Sequence, residues 1–291
     1  MNEAVLRLRD LMASAGISRL KLPRDFLTRL GLLLVSVAVL TALFAPVIAT
    51  HDPIALDVRN RLAPPDAVHW FGTDEVGRDV FSRVVYGARY SIGVSVLVVS
   101  IAAVFGLLIG AFAGFMRGRT DAVIMRVVDV LLSIPGLVFA MALTAALGPS
   151  LMNAMLALAV VITPAYIRLV RGQALAVGRN SYVEAAVLYG ASKRRILARH
   201  VIPNCYGPVL VQMTVDLGAV ILAAAALSFL GLGAQPPDPE WGALIGSGRR
   251  YIQEHWWCAT FPGLAIVLTA AGFNLIGDGL SDLLDPRDGH S

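Results

Sequence analysis

The sequence predicts an all-α membrane protein with six transmembrane helices and both termini in the cytoplasm. Three observations predict it. Of 291 residues, 57% are hydrophobic and 15% charged, with a mean hydropathy of +0.71. A soluble domain is typically ~45–50% apolar and ~25% charged, so one soluble core cannot hide this much apolar surface. The apolar residues also fall into uncharged runs of the ~20 residues that a helix needs to cross the hydrocarbon layer. Finally, Lys and Arg are unequally shared between alternate loops, 17 on one side against 7 on the other. The positive-inside rule assigns the richer side to the cytoplasm. These features exclude an ordinary soluble enzyme, a disordered chain and a disulfide-rich secreted module.

The elements follow in order. Residues 1–29 form a polar, basic cytoplasmic tail, in which Val5, Leu8, Leu11 and Met12 sit at roughly helical spacing and suit either an amphipathic surface helix or a solvated tail. Residues 30–50 are the first span. Its long polar lead and long apolar run do not fit a cleaved signal peptide. A polar outer loop, 51–89, carries six acidic and five basic groups. The second span is 90–116. The uncharged run from Val130 to Ile167 is too long for one helix, and Gly148-Pro149-Ser150 breaks it, giving spans at about 122–147 and 151–170. A basic inner loop, 171–206, leads to the fifth span, 208–232, and the sixth runs over 259–283. Trp256 and Trp257 are expected at the outer interface, in an aromatic belt. Residues 30–291 make up the permeating domain.

The chain lacks several kinds of chemistry. A phosphate-cradling loop needs Gly before its Lys, but Lys21 follows Leu20 and Lys193 follows Ser192. The five histidines are not paired at helical spacing, so no metal site is expected. Gly246-Ser247-Gly248 reads as an outer loop rather than a nucleophile turn. Cys205 and Cys258 fall on opposite sides of the membrane and are not expected to pair. No catalytic residue is assigned and no nucleic-acid partner is expected.

The inner loop carries the strongest signal. Ser181-Tyr182-Val183-Glu184 has the form of a capping box for a helix over 182–189. Gly190 ends it. Ser192 is placed to cap a second helix, Lys193 to His200, which presents Lys193, Arg194, Arg195 and Arg199 and which Pro203 closes. Glu184-Ala185-Ala186, Gly190 and Ile202-Pro203 resemble the EAA loop of binding-protein-dependent ABC importer permeases. The glycine and proline spacings match, while His200 stands at an aliphatic position and Ile202 at a leucine.

Other segments agree with the C-type subunit of the peptide/nickel subfamily. His69-Trp70-Phe71-Gly72-Thr73-Asp74 with Gly77-Arg78-Asp79-Val80 resembles its outer-loop motif. Ser228-Phe229-Leu230-Gly231-Leu232-Gly233 with Pro239-Glu240-Trp241-Gly242, and Gly277-Asp278-Gly279-Leu280 with Leu284-Asp285-Pro286, resemble its later motifs. The resemblance implies a type I ABC importer permease fold in a bacterial cytoplasmic membrane. It implies a heterodimer with a second permease, two ATP-binding-cassette subunits that hold ATP and Mg, and an extracytoplasmic substrate-binding protein. This chain itself would bind no cofactor; its surroundings are lipid. Glu184, Ala185, Ala186, Gly190, Ser192, Lys193, Arg194, Arg195 and Pro203 would form the coupling loop. Gly72, Thr73, Asp74, Gly77, Arg78 and Asp79 would either meet the binding protein or partner permease, or fold the outer loop through internal hydrogen bonds.

Three carboxylates lie at or near spans: Asp129, Asp216 and Asp278. Asp216 is the deepest, and an intramembrane carboxylate is a candidate pathway residue; the alternative is pairing inside the bundle. A peptide is the expected cargo, with nickel or another small solute as the alternative and a self-sufficient transporter or channel as the more distant one.

Overall fold

A computed structural model describes residues 26–284; the proposed tail helix and the Asp285-Pro286 motif lie outside them. The described chain is helical. α1 (Phe26–Leu43) and the short α2 (Ala45–Ile48) form the first span. α3 (Val80–Met116) is the second. α4 (Gly118–Leu132) and α5 (Gly136–Leu147) occupy the expected third span, and α6 (Leu151–Val177) is the fourth. α7 (Ser181–Leu188) and α8 (Lys193–Ile196) lie in the inner loop. α9 (Tyr206–Phe229) is the fifth span, α10 (Trp241–Gly248) lies in the following loop, and α11 (Trp257–Leu284) is the sixth span.

α3 and α6 form the most extensive helix pair. Their close approach rests on Gly106, Gly110 and Gly114, four residues apart on one face of α3. A Cβ on Gly110 would sit 2.6 Å from the Ile167 carbonyl oxygen, and one on Gly114 2.7 Å from that of Arg171. Lipid tails are as apolar as the side chains, so close backbone packing holds such helices together. α9 packs on α3 and α11, and α11 on α1. The main core lies between α3, α6 and α9, around Val98, Ala102, Tyr166, Val170, Val220 and Leu227.

Several boundaries differ from the sequence expectation. The second span begins ten residues early, at Val80: Arg83, which reads as a loop charge, is 3% exposed, donates through one terminal nitrogen to the Pro53 carbonyl and lies with its Nε 3.6 Å from Asp74. The expected third span is two helices that meet at 89° across Ser133-Ile134-Pro135, because Pro135 cannot continue the hydrogen-bond ladder. Among the described residues, five helices are therefore long and apolar enough to cross a membrane, or six if the bent pair counts as one span. α6 passes through Pro164 and ends at Val177, so the inner loop starts later than residue 171. Gly246-Ser247-Gly248 is the last turn of α10 rather than loop; Ser247 Oγ donates to the Ala243 carbonyl at 3.1 Å and has no nucleophile geometry. Trp257 is not in an aromatic belt. It is 6% exposed and its indole N–H donates to the Thr73 carbonyl, 3.2 Å away. Cys205 and Cys258 are both free and buried.

Candidate functional site

We call the bundle end bearing residues 178–205 inner and the end bearing 49–79 and 230–256 outer, following the Lys and Arg distribution. At the inner end, Val183, Ile196, Val201 and Cys205 are buried in the main core and fix the loop to the bundle. The rest of it faces outward. Glu184, Gly190, Ser192, Lys193, Arg194, Arg195 and Pro203 are exposed, and Ala185 and Ala186 half-buried. Leu188 and Tyr189 are 88% and 92% exposed.

The Ser181–Glu184 capping box does not form. Asn180 is the N-cap residue, and its carbonyl accepts from Val183 and Glu184 N–H at 2.9 and 3.2 Å. The amide that the Ser181 hydroxyl was to bind is therefore already bonded. Glu184 instead lines a cleft with Phe115, Arg117 and Val183. Gly190 does end α7, with φ +79°: Gly190 N–H bonds to Val187 O at 2.9 Å and Ala191 N–H to Ala186 O at 3.0 Å. That nested pair is a Schellman motif, which needs a left-handed residue at its centre.

Ser192 caps α8, its hydroxyl accepting from Arg195 N–H at 3.4 Å. The helix does not close at Pro203. A π-turn (Leu197–Val201) and a 3₁₀ turn (Ile202–Cys205) carry it into α9, so Lys193–Phe229 is one helical rod. Pro203 fits because it stands in the first turn of the 3₁₀ segment, where no helical partner for its missing N–H is required. Arg171 clamps Asp121 of α4 through two bonds, 2.5 and 2.7 Å, and Arg168 meets Asp129 at 2.6 Å, tying α4 to α6.

The outer loop is folded from within. Asp74 Oδ2 accepts from Arg78 Nε at 2.7 Å and lies 3.6 Å from Arg83 Nε; Arg83 also donates to the Pro53 carbonyl at 2.9 Å. Thr73 Oγ1 donates to the Asn60 carbonyl and accepts from Ala63 N–H. Asp79 caps α3, with Oδ2 accepting from Ser82 N–H at 2.7 Å. Gly72 and Gly77 both have positive φ, and a Cβ on Gly77 would collide with the Asp57 carbonyl. These six motif residues are buried, so the structure uses them as the loop's internal frame. Asp66 accepts from Val68 and His69 N–H, and those bonds hold its carboxyl below the usual range.

Glu240, 1% exposed, caps α10 with both oxygens: Oε1 accepts from Gly242 N–H and Oε2 from Ala243 N–H, each at 3.0 Å, and Ser91 Oγ donates to Oε1 at 3.2 Å. Burial raises its pKa, and these donors oppose the rise. Asp216 is half-buried. It accepts from Gln212 Nε2 at 3.1 Å and lies beside the Tyr166 hydroxyl, outside good hydrogen-bond geometry. Its hydrogen-bond partner is thus an amide one turn away, with a phenol on α6 as its neighbour. Asp278 is exposed.

Residues 106–288 match the family described as binding-protein-dependent transport system inner membrane component. The chain belongs to that family. It is therefore a multi-pass membrane permease of the bacterial inner membrane rather than an enzyme. Among its relatives, the probable D,D-dipeptide transport system permease protein DdpC of Escherichia coli K12 is 53% identical over 263 residues, covering 90% of this chain and 88% of that one. The di/tripeptide transport system permease protein DppC of Pseudomonas aeruginosa is 44% identical over 263 residues, covering 88% and 87%. The glutathione transport system permease protein GsiD of Escherichia coli O6:K15:H31 is 43% identical over 265 residues, covering 91% and 88%.

Sequence reading missed two groupings in the permease. Ser91 and Glu240 are 149 positions apart and meet only in the fold. His51, His69 and Asp79 gather at the outer end, although none stands at helical spacing from another. The four-residue glycine repeat of α3 was passed over as well, and its contact surface shows only in the fold.

Proposed function

We propose that this chain is one of two permease subunits of an ATP-driven importer that moves short peptides into the cytoplasm. The peptide class rests on the relatives above, whose names specify a D,D-dipeptide, di- and tripeptides, and glutathione. In this reading both termini are cytoplasmic. A second permease completes the pathway, a binding protein delivers cargo at the outer end, and two ATPase subunits with ATP and Mg drive the cycle.

One observation carries the mechanical part. The exposed helix α8 is continuous with the fifth span as the rod Lys193–Phe229. Displacement of α8 by a docked ATPase would be transmitted along that rod into the bundle without an intervening loop. Alternation between two packed arrangements suits such rigid-body motion. α7, with Leu188 and Tyr189 projecting beside the Gly190 turn, supplies apolar contact, and Lys193, Arg194 and Arg195 supply charge.

The test is a mild-detergent pull-down of the chain from its native membrane, followed by uptake of labelled dipeptide and of nickel in cells with and without it. A second permease and P-loop ATPases are expected to co-purify, and dipeptide uptake to depend on the chain. Recovery of the chain alone would overturn the multisubunit reading. Chain-dependent uptake of nickel but not of dipeptide would overturn the peptide reading.

A further inference from the structure

We propose that His51, His69 and Asp79 form a divalent transition-metal site that staples the outer loop to the first and second spans. This does not depend on which solute is carried. His51 follows the first span, His69 lies mid-loop and Asp79 opens α3, so the three come from separate parts of the outer end. Each offers one ligand atom, and these atoms lie within 4.8 Å of one another.

The geometry converges on one oxygen. His69 Nδ1 is 2.9 Å and His51 Nδ1 3.8 Å from Asp79 Oδ1. Ligands on a tetrahedral zinc ion, at bonds of 2.0–2.2 Å, stand about 3.3 Å from one another. The two spacings to Asp79 Oδ1 bracket that value, and all three ligand atoms lie within 4.8 Å of one another, so an inward turn of the partly exposed His51 ring closes the set around an ion. Asp79 divides its work: Oδ2 is used by the Ser82 cap, and Oδ1 is hydrogen-bonded to His69 Nδ1, a shared proton whose place a cation would take.

The backbones are already fixed. His51 N–H donates to Ser82 Oγ at 3.0 Å, and the His69 carbonyl accepts from Asp66 and Gly72 N–H at 3.0 and 2.8 Å. The side chain of Asp79 is 1% exposed, that of His69 13% and that of His51 36%, so the site is anchored on a buried carboxylate and open on one side. Thr50 Oγ1 lies 2.9 Å from His51 Nδ1, on a bond that rotates freely once a metal takes the nitrogen.

Two neutral imidazoles and a carboxylate carry one negative charge and a mixed nitrogen–oxygen donor set. That set favours zinc, nickel or copper over magnesium or calcium, which prefer all-oxygen ligands. With three protein ligands the fourth position is left for water. Each ring then carries its proton on Nε2 and presents the Nδ1 lone pair to the ion.

The test uses the full-length chain, free of any polyhistidine tag, stripped with EDTA and titrated in detergent with Zn2+, Ni2+, Co2+ and Mg2+. One equivalent of Zn2+ or Ni2+ is expected to bind, Co2+ to give a visible ligand-field band, and Zn2+ but not Mg2+ to raise the melting temperature. His51→Gln and His69→Gln should each weaken Zn2+ binding at least tenfold, while His255→Gln should leave it unchanged. Absence of a Zn2+-dependent melting shift in the unsubstituted chain overturns the site without recourse to any variant. Binding that persists undiminished in both His51→Gln and His69→Gln overturns it as well, since the metal then sits elsewhere.

Discussion

Gly77 and Gly190 adopt nearly the same backbone conformation, at φ +84° and +79°, yet they stand in opposite surroundings. A Cβ on Gly77 would run into the Asp57 carbonyl, whereas one on Gly190 meets nothing within 4 Å. The contrast extends to their neighbourhoods. Around Gly77 the charged groups Asp74, Arg78, Asp79 and Arg83 are buried and bonded to the loop itself. Around Gly190 the charged and large apolar groups point outward, with Tyr189 more than nine-tenths exposed. A region that satisfies its own polar groups is finished within one chain. A region that leaves apolar side chains and a basic row unsatisfied is shaped for a partner. The outer end is therefore primarily a folded cap, whereas the inner end leaves exposed the apolar and basic groups on which the proposed docking of an ATPase rests.

The sharpest way to break that comparison is to place a side chain on each glycine. Gly77→Ala carries both a left-handed strain of roughly 1–2 kcal/mol and a backbone collision that the loop segment at Asp57 must move to relieve. Displacing that segment disturbs the turn that holds Asp74 against two buried arginines, and a buried pair that loses one partner costs about 3–5 kcal/mol. The expected outcome is a steep fall in the amount of folded chain in the membrane, read by immunoblot and by melting temperature in detergent. A variant that accumulates and melts like the unsubstituted protein would falsify the internal-frame reading of the cap.

Gly190→Asp is expected to behave differently. Aspartate is among the residues that tolerate the left-handed region, and the space around Gly190 is open. The cost should be about 1 kcal/mol, so the chain should reach the membrane in near-normal amount. Uptake should nevertheless be lost, because a new side chain and a negative charge stand between Tyr189 and the Lys193-Arg194-Arg195 row. Normal uptake at normal abundance removes the coupling role from this turn. Low abundance places Gly190 with Gly77 and dissolves the contrast between the two ends.

The same contrast explains what was legible in the sequence. Spans show in a linear sequence because burial in lipid is a property of a run of residues, and the five long helices stand close to their expected places. The Gly190 stop and the Ser192 cap were legible because capping is local chemistry between residues three or four apart. The Ser181–Glu184 box was not realised because the same amides had a nearer acceptor in the Asn180 carbonyl, and spacing alone does not rank two local acceptors. The cap was largely illegible. Arg83 reads as a loop charge until Asp74 and the Pro53 carbonyl are folded around it, and His51 meets Asp79 only through the loop's path. The 89° turn at Pro135 falls inside a segment that the sequence reads as one span, and its angle depends on the packing of α5 against α6.

The smallest expected effect tests whether the cap also depends on its exposed groups. Asp66 is on the surface, and its carboxylate accepts from Val68 and His69 N–H. Those bonds favour the charged form and lower its pKa below the ordinary value of 3.8. The sign follows from linkage: a carboxyl whose pKa is lower in the folded state stabilises that state above its unfolded value. The contribution is present at neutral pH and is lost as pH falls through the depressed folded-state value. Asp66→Asn keeps an oxygen acceptor for both amides but removes the charge. The melting temperature at pH 7 should fall slightly, and the difference from the unsubstituted chain should shrink as the pH is lowered below about 3.8. A difference that stays constant across that range would mean that the side chain acts through its neutral contacts alone. A large loss at pH 7 would mean that the exposed turn, and not only the buried Asp74 cluster, holds the cap in place, and with it the His69 backbone on which the proposed metal site depends.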